Sequence, residues 1–118
     1  MRTDELLVTL DARTIILVER GGRAAAIDSA TGQPLWASSL ETIRVHDTDT
    51  AADVLAIGGM GKDREGRLVP MLVTLDPRTG EAITTDRALP GVVRWVRIRA
   101  GGPVLAGLRS RIVSVSPA

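Results

Sequence analysis

The chain has 118 residues, a formal net charge of +1 and 44% hydrophobic residues, which bounds it to one domain able to bury a core. It contains no cysteine, so a disulfide framework, a thiolate metal site and a thiol nucleophile are excluded. With no Phe or Tyr and only two Trp, the core has to come from Val, Leu, Ile and Ala, which suits the interior of a β-sheet protein. The opening MRTDELLVTL has acids where a signal peptide needs a long apolar core, and no apolar run approaches a membrane span. A soluble, cytoplasmic chain is expected, or a piece of a longer one.

In chain order, strands are expected at 5–10 and at Thr14–Glu19, joined at Asp11-Ala12-Arg13. Arg20-Gly21-Gly22 then turns into Arg23–Asp28, and Asp-Ser-Ala-Thr-Gly at 28–32 turns into a strand over 33–40. The chemistry of that turn is specific: Asp28 can accept hydrogen bonds from amides two or three residues on, and Gly32 supplies the positive φ that leads into the next strand. A second set follows at 42–47, 54–58, 67–75 and 81–88, with a loop over 48–52, a long turn over 59–66 and an Asp-Pro-Arg-Thr-Gly turn at 76–80. After Pro90-Gly91, the stretches 92–99, 104–108 and 111–116 supply three more strands.

The segment AIDSATGQPLW at 26–36 returns 48 residues later as TLDPRTGEAIT at 74–84, with Asp76, Thr79 and Gly80 standing where Asp28, Thr31 and Gly32 stood. Thr84 takes the place of Trp36, and a third copy begins at 113–118 with Ser116 at the Asp position. Units of roughly 40–50 residues built of strands mark propeller blades. The pattern AxDxxTGxxxW, carried in full by Ala26, Asp28, Thr31, Gly32 and Trp36, resembles the PQQ-type β-propeller repeat of quinoprotein dehydrogenases and of many non-enzymatic propellers. The resemblance implies an all-β chain of about three four-stranded antiparallel blades, over 1–41, 42–89 and 90–118, the last lacking its outer strand. Three blades would make half of a six-bladed ring. It also implies that Trp36 packs between neighbouring blades.

Several stretches invite a chemical reading, and each has a plainer one. Ala56 to Asp63, AIGGMGKD, approaches a GxxxxGK[ST] phosphate loop but has Ala56 at the first glycine and Asp63 where a magnesium-binding hydroxyl belongs. A flexible hairpin loop, turned by Gly58, Gly59, Gly61 and Gly66, is expected there instead. His46, Asp47, Asp49 and Asp53 are able to bind a hard cation but lack the EF-hand spacing and its terminal Glu, so no metal site is expected. His46 itself reads as a surface strand-end residue, because no Ser or acid stands beside it in a catalytic context. Trp95 sits where the apolar alternation of VVRWVRIR changes phase, which a bulge or an inner strand buried on both faces would explain.

Charge is unevenly spread: net −2 over 1–41, −3 over 42–86 and +6 over 87–118. Arg94, Arg97, Arg99, Arg109 and Arg111 therefore form the expected assembly or partner surface. Nucleic acid is disfavoured, since no binding motif and little aromatic surface for base stacking accompany them. The function expected is a non-enzymatic propeller module that scaffolds or binds protein, with no catalytic residue, cofactor or metal. The alternative is a fragment or subunit of a PQQ-dependent dehydrogenase, for which the resemblance would imply a quinone and calcium at the axis of a larger ring; the missing cysteines and the length weigh against it. Exposed apolar ends are expected at Leu6, Val8 and Ile16 on the first blade and at Val104, Leu108 and Ile112 on the last. A homodimer, or the rest of a longer propeller, would cover them, the basic last blade meeting an acidic first blade.

Overall fold

A computed structural model describes residues 5–9, 12–40, 43–51, 53–99 and 102–116, with the side chains of 5–9, 43 and 84–87 excepted. Among the described residues eleven strands run in order: β1 Glu5–Thr9, β2 Thr14–Glu19, β3 Arg23–Asp28, β4 Pro34–Ser39, β5 Ile43–Ala51, β6 Val54–Lys62, β7 Leu68–Leu75, β8 Ala82–Ala88, β9 Trp95–Ile98, β10 Val104–Gly107 and β11 Ile112–Val115. They form three antiparallel sheets in sequential order, β1-β2-β3-β4, β5-β6-β7-β8 and β9-β10-β11. Each strand pairs with its neighbour in the chain, so every connection within a sheet is a hairpin.

The sheets stack face to face with the second in the middle. Ile16, Val18, Ala24, Ala26 and Trp36 of the first sheet meet Val45, Leu55, Ile57, Met71, Val73 and Leu75 of the second in one core. Ala56 and Leu72, on the opposite face of the second sheet, meet Val93, Val96, Val104, Leu108 and Val115 in the other. Burial on both faces explains why β6 is buried at every position from Val54 to Gly59, where a half-exposed strand would alternate. The apolar side chains that bridge these sheets supply most of the cohesion, at about 25 cal/mol for each Å² withdrawn from water.

Three expectations are corrected. The second set of strands is longer than its turn residues suggest: β5 continues through the expected loop to Ala51, and β6 runs through Gly58, Gly59 and Gly61 to Lys62. The Thr48 and Thr50 hydroxyls hold this hairpin by donating to the carbonyls of Ala56, at 2.8 Å, and Val54, at 3.3 Å. The glycines serve close approach within the sheet: a Cβ on Gly59 would strike the Arg44 carbonyl at the bulge of β5, and one on Gly58 would lie 2.8 Å from Val93 Cγ1 and Val96 Cγ2. Of the glycines read as turn formers there, only Gly66 has a positive φ, +78°.

His46 stands inside β5 at that bulge, half-buried, its Nδ1 3.3 Å from the Val93 carbonyl, rather than at a strand end. The expected open ends were placed on the wrong face: Ile16, Val104 and Leu108 are buried in the two cores, and among the six only Ile112 is seen exposed, at 64%. Leu6 and Val8 fall outside the residues whose side chains are described. Strands such as TIILV carry apolar residues on both faces, so alternation alone does not set their phase.

Candidate assembly surfaces

The two signature turns are built alike. Asp28 Oδ1 accepts from the amides of Ala30 (2.8 Å) and Thr31 (3.3 Å), and the Gly32 amide donates to the Asp28 carbonyl at 2.7 Å. Asp76 Oδ1 likewise accepts from Arg78 at 2.9 Å, and Gly80 donates to the Asp76 carbonyl at 2.8 Å. Thr31 Oγ1 and Thr79 Oγ1 each take the amide two residues on, at 3.3 and 3.2 Å. Gly32 and Gly80 have φ of +74° and +78°, a region costly for any side chain with a Cβ.

At the seam between the first two sheets, Trp36 reaches from β4 to the second turn. Its Nε1 donates to the Pro77 carbonyl at 2.8 Å, and its ring lies against Gly80, where an added Cβ would come within 2.5 Å of Cε3. Ser38 adds a bond from Oγ to the Gly80 carbonyl at 3.3 Å. Trp36 is thus 9% exposed and its one polar atom is paired.

The second seam uses carboxylates. Asp47 and Asp49, two apart on β5 and so on one face of it, each accept a backbone amide of β9: Val96 N to Asp47 Oδ2 at 2.7 Å and Ile98 N to Asp49 Oδ2 at 2.9 Å. Arg97 Nη1 closes on Asp47 Oδ2 at 3.2 Å, an exposed ion pair worth at most about 1 kcal/mol. These acids therefore clasp the third sheet, and among the described residues no three His, Asp or Glu side chains converge as a metal site would require. Alternation of Asp and Thr along 47–50 was the signal that could have revealed the clasp.

The five arginines of the expected surface are not gathered in one patch. Arg94, Arg109 and Arg111 stand at one end of the third sheet, where the Arg94 amide bonds the Gly107 carbonyl at 2.8 Å and the Leu108 amide bonds the Arg111 carbonyl at 2.8 Å. Arg99 lies at the other end, beside a groove of about 470 Å³ shared with Asp53, Ile98, Pro103 and Ser116. Arg97 is turned back toward the second sheet. Trp95, on the outward face, lies over Gly107, leaving no room for a Cβ there.

The outer face of the first sheet is open. Registers pair Ile15 with Ile27 and Leu17 with Ala25, positions matched in the second sheet by Leu55 with Leu75 and Ile57 with Val73. The latter four are between 0% and 4% exposed beneath the first sheet; the former four are only half-buried, beside a concavity of about 440 Å³ lined by Leu17, Glu19, Arg23, Ala25 and Ala37.

No protein-family profile matches the chain, and no curated protein matches it in sequence. Solved structures do. The computationally designed Ika4 protein is 16% identical with a TM-score of 0.66 over 92% of this chain and 64% of that one. The designed Ika8 protein is 16% identical with a TM-score of 0.67, covering 93% and 32%, and the WD40 β-propeller domain of Doa1 is 18% identical with a TM-score of 0.65, covering 92% and 34%. At such identities the likeness concerns the fold alone. The fold is of the β-propeller class, and the three sheets are its blades. The chain spans less than two thirds of the length of each of these proteins.

Proposed function

We propose that the chain is a non-enzymatic propeller module of PQQ-type repeats, a single partial propeller that binds protein by taking further blades onto its end faces. The observation that carries this reading is the outer face of the first blade, whose Ile15, Leu17, Ala25 and Ile27 occupy the positions that the second blade buries beneath the first. Half-buried apolar residues in a continuous sheet face mark a contact surface. The seated Trp36 supports the PQQ-type assignment, because the full signature and its inter-blade contact occur together.

Charge favours a second copy as the partner. The third blade carries Arg94, Arg97, Arg99, Arg109 and Arg111 and no acid over 90–118, and the segment 1–41 carries −2, so a head-to-tail pair brings opposite net charges to both seams and closes instead of propagating. Light scattering across a salt series tests this. A homodimer that partly dissociates as salt screens the seams over about 8–10 Å is expected. A monomer at micromolar concentration in low salt would contradict self-association.

A further inference from the structure

We propose that one end of the three blades, formed by the turns at 20–22, 63–67 and 108–111 and by the link 89–94, is a docking face for an anionic lipid bilayer. This goes beyond assembly through the outer face of the first blade and does not depend on it.

The topology sorts the turns into two ends. The Val96 amide meets Asp47 and the Ile98 amide meets Asp49, so β9 runs in the same direction as β5, and the Val45 amide bonds the Arg20 carbonyl, which sets the β2–β3 turn beside the start of β5. Every connection within a sheet is a hairpin, so the β2–β3, β6–β7 and β10–β11 turns and the link into β9 all lie at that end. The turns at 29–33, 76–81 and 99–103 lie at the other.

Charge follows the same division. Arg20, Arg44, Arg64, Arg94, Arg109 and Arg111 stand exposed at the first end. The acids described there are Glu19, Asp63 and Glu65, and the last two are already bonded to Arg67. At the opposite end Arg78 and Arg99 are interleaved with Asp28, Asp53, Asp76 and Glu81. Hairpin geometry thus concentrates cations on one end, although segments of opposite net charge contribute to it.

A second observation names the partner. Leu68, Val92 and Ile112, at 64%, 50% and 64% exposure, stand at the same end, and each is within two residues of an exposed arginine: Arg67, Arg94 and Arg111. The exposed apolar residues of the other end, Leu35 and Ile83, have no cation that near in sequence. An arginine that reaches a lipid phosphate holds an adjacent apolar side chain at the depth of the acyl boundary, so a bilayer rewards the two together. Nucleic acid would engage the arginines and leave the three apolar side chains in water. A folded protein partner would call for one continuous apolar patch with a matched shape, whereas these side chains sit on three separate segments. A fluid bilayer requires no such match.

The test is sedimentation of the full chain with vesicles of phosphatidylcholine alone and of phosphatidylcholine mixed with phosphatidylglycerol. The chain should partition onto the mixed vesicles and stay in solution with the neutral ones. Arg94→Gln and Arg111→Gln should each weaken that partition about fivefold, and Leu68→Ser about 3–10-fold, with unfolding midpoints unchanged because all three sites are exposed. Depth is read separately. The chain has no cysteine, so Ile112→Cys carries an environment-sensitive dye at the proposed face and Ala30→Cys carries one at the opposite end. On mixed vesicles the dye at 112 should shift to the blue and the dye at 30 should not. Absence of partition onto the mixed vesicles would overturn the proposal. So would partition in which the dye at 112 stays in water and Leu68→Ser has no effect, since the face would then be a general polyanion site of the kind an acidic protein or a nucleic acid uses. Equal shifts at 112 and 30 would overturn the assignment of this end.

Discussion

Trp36 and Gly80 lie 44 residues apart and in contact: the indole of the first blade covers the glycine of the second blade's turn while its N–H bonds the carbonyl of Pro77 at 2.8 Å. The residue that ends the first copy of the repeat thereby depends on the turn of the next copy. Removing the ring should open that seam. Trp36→Ala is expected to destabilise the chain by about 3–5 kcal/mol in chemical denaturation. Trp36→Phe keeps part of the packing but leaves the Pro77 carbonyl without its donor, and should lose about 1–3 kcal/mol.

The two turn glycines should respond unequally. Both have positive φ, so Ala at either strains the backbone by roughly 1–2 kcal/mol. At Gly80 the new methyl also strikes the indole, adding about 1–3 kcal/mol of overpacking, whereas at Gly32 it meets open space. Gly80→Ala should therefore unfold at clearly lower denaturant than Gly32→Ala. Equal midpoints would remove the indole from the second turn. Val in place of either glycine should be worse than Ala, since β-branched residues tolerate this region least.

The clasp between the second and third blades predicts a local effect. Asp47→Ala and Asp49→Ala each leave a β9 amide without its acceptor, which should lower stability by about 1–3 kcal/mol apiece. Hydrogen exchange at Val96 and Ile98 should accelerate in the matching variant more than at β2 or β3. Uniform acceleration across all three sheets would show that the carboxylates act only through global stability.

Much of this architecture is legible in the residues, and the failures share a cause. The strands Thr14–Glu19 and Arg23–Asp28 lie where turn chemistry and alternation put them, because Gly21-Gly22 and Asp28 mark their ends locally. The glycines of 58–61 read as a loop because their reason is tertiary: Val93 and Val96 press on Gly58, and the bulged backbone at Arg44 presses on Gly59. The phase of Ile16 and Val104 depended on which face the middle sheet covers, which no single strand records. The signature turn was visible as a turn, but its use as a platform for Trp36 required knowing what the neighbouring blade lays upon it. The arginines were grouped by sequence proximity, and hairpin geometry sent them to opposite ends of one sheet.

The β6–β7 turn offers a pH-dependent check. Asp63 accepts the amides of Arg67 at 2.9 Å and Glu65 at 3.0 Å, and the Arg67 amide bond, aided by that of Glu65 and by the Arg67 charge, holds its carboxyl below the usual value of 3.8. A carboxyl lowered by folding contributes stability that is complete above its unfolded value and is lost as pH falls through the folded one. Carbon-detected NMR titration should therefore find Asp63 titrating below 3.8, and Asp63→Asn should remove the associated acid-limb dependence. Titration at or above 3.8 would contradict the turn geometry.

The outer face of the first blade is tested most directly by the native mass of Ala25→Arg beside the unaltered chain, at micromolar concentration and low salt. Ala25 lies half-buried in that open face, so an arginine there reaches solvent in the free chain and obstructs any sheet laid over it. The unaltered chain should run at twice 12.5 kDa and the variant at 12.5 kDa, with the two unfolding midpoints alike. An associated variant, or an unaltered chain that is itself monomeric, would contradict assembly through this face.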